Sequence, residues 1–212
     1  IASCLVGSEM CIRDSSMTEP QAGADPGEFL CTATQDGDDW VINGEKWFAS
    51  HARFSAFLLV MVVTNPDVPI HEGASIFLVE QGTPGMEIIR NSAVGPYIEQ
   101  GDGVHAYISF KDCRVPAENL LGNEGQGFHV AQTRLGGGRV HHAMRTVGVI
   151  RRAIDMMCER ALSRRTKGGL LADKQMSQEK IADAYTMMMQ YRLHVLYTCL
   201  LYTSDAADDL LC

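Results

Sequence analysis

The chain has 212 residues, 46% of them hydrophobic and 21% charged, and carries a formal net charge of −8. That composition suits a globular protein with a sizeable core, while the acidic balance argues against nucleic acid, whose phosphates require clustered Lys and Arg. The longest apolar-rich run, Phe54 to Val63, is too short to span a bilayer, which takes roughly 20 residues.

The two ends stand apart from the rest. IASCLVGSEMCIRDS at the start and CLLYTSDAADDLLC at the finish show no periodicity continuous with their neighbours. Both resemble translated sequencing-library adapter; a genuine start and tail are the alternative. Residues 1–15 and 199–212 are therefore expected to be non-native tails. They hold Cys4, Cys11, Cys199 and Cys212, leaving Cys31, Cys113 and Cys158 in the body of the chain. Three scattered cysteines without a C-x-x-C pair predict free thiols in a reducing compartment.

Residues 16–124 carry strand signals. Trp40-Val41-Ile42, Asn43-Gly44 and Glu45–Phe48 predict a hairpin turning at Asn43-Gly44, because that dipeptide accepts the positive φ angles of a type I′ turn. Phe57–Val63 and Ala74–Glu80 read as buried strands bounded by Pro and Gly. Val104, Ala106, Ile108 and Phe110 alternate with His105, Tyr107, Ser109 and Lys111, the mark of a strand with one wet face. Turn clusters at Asp36–Asp39, Thr83–Gly85 and Gly101–Gly103 separate these runs, so a small antiparallel barrel or sandwich is the expected closure.

Residues 125–198 change period. Ala143, Val147, Ile150, Ile154, Met157 and Ala161 recur at steps of three and four, one apolar stripe of a long helix. Gly136-Gly137-Gly138 is expected to break the helical pattern before it, and Gly168-Gly169 to end it. A second helix is predicted from about Ser177, a plausible N-cap, with Ile181, Ala184, Met188, Tyr191 and Val195 as its stripe. Two such helices cannot bury both stripes alone, which predicts the first part of a larger bundle. The fold class is α+β.

Three motifs carry the chemistry: Met17-Thr18-Glu19-Pro20-Gln21-Ala22-Gly23-Ala24-Asp25; Asn43-Gly44-Glu45-Lys46-Trp47-Phe48-Ala49-Ser50; and Val115 to Phe128 with its Gly122, Gly125 and Gly127. In this order and spacing they resemble the acyl-CoA dehydrogenase family, and the resemblance runs through Ala161-Leu162-Ser163-Arg164 to cover essentially residues 16–198. It implies FAD as cofactor and α,β-dehydrogenation of an acyl-CoA thioester. It also implies electron-transfer flavoprotein as acceptor, a homodimer or homotetramer when complete, and a cytoplasmic or, in a eukaryote, mitochondrial location. The Gly138–His142 run further resembles the branch acting on larger or unusual acyl chains.

Residue by residue, the resemblance assigns Met17 and Thr18 to the flavin edge that gains negative charge on reduction, where fixed donors favour electron uptake. Phe48 stands where the family usually has a tryptophan against the ring, and Ser50 where it has a threonine whose hydroxyl meets flavin N5. Trp47, adjacent on the strand, is expected to face the other way into the core. Glu19 is read as a brace for its loop. Ala24 replaces a frequent serine beside the acyl chain, and Arg139 corresponds to a position that holds CoA or shapes the acyl pocket. Arg164 and Gln175 match positions that reach another subunit's cofactor at its pyrophosphate and adenosine part, and guanidinium suits phosphate. Lys167 departs from the family's phenylalanine. No catalytic base is assigned, because the family's usual carboxylate lies beyond Thr198 and its alternative position is Gly138 here. A same-fold flavin oxidase or monooxygenase is the rival reading, and a non-enzymatic β-barrel with a helical oligomerisation arm the remote one. His141-His142 are about 100° apart on a helix, too divergent for one metal, and Gly122–Gly127 lacks the Lys-Ser/Thr of a phosphate loop.

Overall fold

The computed structural model describes residues 15–92 and 105–208. The chain divides into two compact units, residues 1–132 and 133–212.

In the first unit, strands β1 (Ser15–Ser16), β2 (Thr32–Asp36), β3 (Asp39–Ser50), β4 (Phe57–Val63), β5 (Ala74–Glu80), β6 (Met86–Ser92) and β7 (His105–Pro116) form one seven-stranded sheet. Its path runs β1-β4-β2-β3-β7-β6, with β5 pairing β4. The sheet is mixed and open among the described residues, where an antiparallel barrel or sandwich was expected. Two contacts account for this: β4 lies parallel to β1 and meets β2 in parallel at Thr32 and Val63. A one-turn helix, α1 (Ile70–Gly73), links β4 to β5.

The all-apolar β4 packs on both faces, as its lack of polar alternation requires. Leu58, Val60 and Val62 join Trp40, Ile42, Phe77, Ile108, Phe110 and Val115 in one core cluster. Met61 and Val63 point the other way, to Phe29, Ile76 and Ala131, backed by Leu121 and Phe128. Strand β7 buries Ala106, Ile108 and Phe110 as the alternation predicts. The turn expected at Gly101–Gly103 lies outside the described residues.

Asn43-Gly44 is not the hairpin turn. The turn is Gly37-Asp38, between the paired Asp36 and Asp39, with Gly37 at φ 66°. Asn43-Gly44 instead forms a bulge inside a continuous β3, where the register against β7 slips between Ile42 and Gly44. Gly44 sits at φ 140°, and a Cβ there would lie 2.6 Å from Cys31 Cα. The Asn43 side chain accepts the Asp112 backbone N–H at 2.8 Å, and Asp112 is itself at φ 48°. Long-range packing thus uses the dipeptide's permissiveness for a bulge.

The second unit is built on α2 (Gly127–Ser163), which begins in the first unit, and α3 (Gln175–Asp208). Between them lies a short ribbon of β8 (Arg165–Thr166) and β9 (Gly169–Leu170). The helix α2 passes unbroken through Gly136–Gly138; a cost of about 1 kcal/mol per glycine is absorbed by the cooperativity of so long a helix. Its covered stripe is Ala143, Val147, Ile150, Ile154, Cys158 and Ala161, with Met157 outside it at 40% exposure. The α3 stripe is as predicted, and Tyr191 donates its hydroxyl to the Ala143 carbonyl at 3.2 Å. Ser177 is not the cap: its N–H and that of Gln178 already bond the Lys174 carbonyl, so α3 starts two residues earlier. Outside the stripes, Val149, Leu162, Met187, Leu193 and Leu200 each stand more than 60% exposed. No helix among the described residues is long and apolar enough to cross a membrane.

Candidate functional site

The Met17–Glu19 loop is tied to β3 from beneath. Glu19, 1% exposed, accepts the backbone N–H groups of Leu30 at 2.7 Å and Cys31 at 3.1 Å, and the Lys46 ammonium at 2.7 Å. Lys46, fully buried, also donates to the Met17 carbonyl at 2.9 Å and lies 4.4 Å over the Phe29 ring. Burial holds the Lys46 ammonium below the usual lysine range, opposed by Cys31 and Glu19. Glu19 is therefore a brace. The Trp47 N–H then donates to the Thr18 carbonyl at 2.7 Å, which completes the attachment. Thr18 is half-buried, and its hydroxyl has no intrachain hydrogen bond among the described residues.

The next residues leave regular strand geometry. The register of β3 against β7 slips again between Lys46 and Ala49, and both Phe48 (φ 59°) and His51 (φ 58°) occupy the left-handed region. Each such non-glycine residue costs about 1–3 kcal/mol, and such strain concentrates at functional sites. The bulge defeats the expected alternation. Trp47 is not core; it stacks on Phe48 with centroids 4.6 Å apart and planes 9° from parallel. Phe48 remains 44% exposed, a flat aromatic surface beside the loop that carries Thr18.

Ser50 pairs directly across the sheet with His105, and His105 with Ser92, so the three side chains share one face. The Ser50 hydroxyl lies 2.7 Å from His105 Nδ1, and the Trp47 indole N–H donates to Ser92 Oγ. His105 also stands edge-on to Phe48, 6.1 Å between centroids at 77°. Arg90 lies over the rings of Trp47 and Tyr107.

The structure thus gathers Met17 and Thr18 with the segment bearing Phe48 and Ser50. Ala24 is exposed in the following loop, outside these bonds. Arg139, Arg164 and Gln175 belong to the second unit and are exposed. Arg164 closes α2 through its N–H to the Arg160 carbonyl, accepts the Leu171 N–H on its own carbonyl, and has no ion pair among the described residues. Lys46, Ser92 and His105 were not singled out from the sequence. Their places depend on cross-strand register, which no local motif records. No group of three metal-binding side chains occurs among the described residues.

The chain's geometry has counterparts. Residues 15–113 match the acyl-CoA dehydrogenase middle domain, and residues 125–209 match the family's C-terminal domain. A Mycobacterium tuberculosis protein named a probable acyl-CoA dehydrogenase, FadE2, is 42% identical over 181 residues, 84% of this chain and 44% of its own length. Human acyl-CoA dehydrogenase family member 11 is 43% identical over 152 residues, 70% of this chain and 20% of its own. A solved acyl-CoA dehydrogenase from Geobacillus kaustophilus superimposes with a TM-score of 0.78 at 28% identity, over 92% of this chain and 50% of that one. The chain spans less than half the length of these two curated relatives. With both of the family's domains matched in order, this chain belongs to the acyl-CoA dehydrogenase family.

Proposed function

We propose that this chain is the central part of an FAD-dependent acyl-CoA dehydrogenase, an oxidoreductase of fatty-acid metabolism, and that its β-unit holds the reactive end of the flavin. The observation that carries the reading is the strained Trp47–Ser50 segment, which sets an exposed aromatic face and a hydroxyl beside a loop locked in place through Lys46 and Glu19. These residues fit the group: a ring system wants a flat apolar wall and a few placed polar atoms. Phe48 would supply the wall. Met17 and Thr18 would supply donors at the edge that gains charge, Thr18 with a hydroxyl that has no hydrogen bond among the described residues. Ser50 would supply the hydroxyl facing N5.

When bound, the flavin supplies hydride acceptance from the β-carbon of an acyl-CoA thioester. The chain's own residues bind and orient: Arg164 and Gln175 toward the pyrophosphate and adenosine part of the cofactor in another subunit, Ala24 and Arg139 toward the acyl-CoA. None of the described residues is assigned the α-proton. Gly138 occupies one family position for that base and offers no side chain to take the proton. The complete protein is proposed to be a homodimer or homotetramer that passes electrons to an electron-transfer flavoprotein.

The test is a FAD titration of the complete polypeptide that carries this chain, followed by anaerobic addition of acyl-CoA thioesters of different chain length. Bound flavin with visible absorbance, bleached by at least one thioester, is the expected result. Failure to retain FAD would sink the reading.

A further inference from the structure

His105 touches both residues that the flavin reading places against the reactive ring. Its Nδ1 meets the Ser50 hydroxyl at 2.7 Å, and its ring edge meets Phe48. It stands at the middle of the Ser50–His105–Ser92 row, where Trp47 engages Ser92. The imidazole is thus fixed from three sides, by a hydrogen bond, an aromatic contact and its strand pairing.

We propose that His105 is a positioning residue that sets the direction of the Ser50 hydroxyl, and through it the balance between oxidised and reduced flavin; this rests on the flavin reading above. A serine hydroxyl has one hydrogen to donate and two lone pairs. With a hydrogen on Nδ1, His105 donates to Ser50, and the serine O–H is left to donate into the site. With Nδ1 bare, the Ser50 O–H donates to His105, and Ser50 turns only a lone pair toward the site. Oxidised flavin presents N5 as an acceptor, whereas reduced flavin presents an N–H there. The first arrangement therefore favours the oxidised ring and the second the reduced one. A ring that keeps one tautomer therefore imposes one direction on the Ser50 hydroxyl and biases the flavin toward one of its two states.

The test compares the affinities of the complete polypeptide for oxidised FAD and, anaerobically, for reduced FAD. His105→Ala is expected to change the ratio of the two about fivefold, the worth of one neutral hydrogen bond. In a Ser50→Ala background the same substitution should change it less than about twofold, since nothing is left to transmit the effect. A ratio unchanged in His105→Ala, or changed equally without Ser50, overturns the proposal while the flavin reading stands. A wild-type protein that binds neither form overturns both. Should His105→Ala fail to fold, nitrogen NMR of His105 decides. Its Nδ1 should report the same tautomer in the oxidised and reduced complexes of the wild type and shift when Ser50→Ala removes its partner; a tautomer that switches with the flavin's redox state overturns the proposal.

Discussion

Lys46 and Glu19 form an ion pair at 2.7 Å with neither side chain more than 1% exposed. The pair joins the sequence's first motif to its second, and each partner also holds backbone: Lys46 the Met17 carbonyl, Glu19 the N–H groups of Leu30 and Cys31. Breaking one partner leaves a buried charge uncompensated, which costs about 3–5 kcal/mol. Lys46→Met should destabilise the fold by that amount in urea denaturation. Adding Glu19→Gln should recover part of the loss, because the remaining side chain is neutral and can still bond. A double variant no better than the single one would show that the backbone contacts outweigh the charge.

Phe48 should separate folding from binding. Its φ of 59° favours glycine and its ring is 44% exposed, so Phe48→Gly exchanges a small packing loss for relief of backbone strain. Stability is expected to stay within about 1 kcal/mol of wild type, while FAD affinity falls with loss of the aromatic wall. A variant that is clearly destabilised yet binds FAD with wild-type affinity would reverse the assignment.

Gly44 and Gly37 both carry positive φ angles, but only Gly44 is crowded, with Cys31 Cα 2.6 Å from a built Cβ and open space at Gly37. Gly37→Ala should cost about 1–2 kcal/mol for its backbone alone. Gly44→Ala should cost more, because β2 must move away from β3. Equal thermal shifts for the two would show that the bulge accommodates a methyl group.

Arg164→Ala is expected to weaken FAD binding by about 1.5–3 kcal/mol, the worth of a charge-assisted bond, or roughly ten- to hundredfold. Flavin reduction should be largely unchanged once the cofactor is bound. Ser50→Ala should do the reverse, slowing reduction in anaerobic single-turnover measurements more than it weakens binding. Wild-type FAD affinity in Arg164→Ala would make Arg164 an ordinary solvated helix end.

Burial pushes the Cys31 thiol up to about 12 and the Cys113 thiol up to about 11, from an ordinary value of 9.0. The folded state therefore keeps protons that the unfolded state releases above that value. Stability from these groups is fully present below pH 9.0 and is lost as pH rises toward their folded values. Cys31→Ala should flatten the alkaline fall in stability. At mildly alkaline pH, a thiol reagent should modify the half-exposed Cys158 before either core cysteine.

Much of this was legible because the signals were local. The runs at Phe57–Val63 and Ala74–Glu80 became β4 and β5 with those bounds, since continuous apolar character leaves a short segment few alternatives. Met17, Thr18, Phe48 and Ser50 are named from the family resemblance, and the structure joins their two segments through Trp47 and Lys46. What stayed hidden depended on partners distant in sequence. The Asn43-Gly44 bulge needs Asp112 and Cys31, the side-by-side Trp47 and Phe48 need a register slip against β7, and His105 gains its meaning only opposite Ser50. In α2, three glycines that would stop a short helix were outweighed by the length around them.

The two-faced burial of β4 has a consequence for how the protein is made. Phe-Leu-Leu-Val-Met-Val-Val carries no charge, no proline and no glycine, and it is the kind of segment that pairs with copies of itself when left uncovered. It emerges during synthesis before β5, its full-length neighbour, so for that interval only β1 and β2 can shield its edge, and they reach three of its residues, Leu59, Val60 and Val63. The short α1 connection between β4 and β5 keeps that interval brief. Lengthening it should lower soluble yield before it lowers the stability of molecules that do fold.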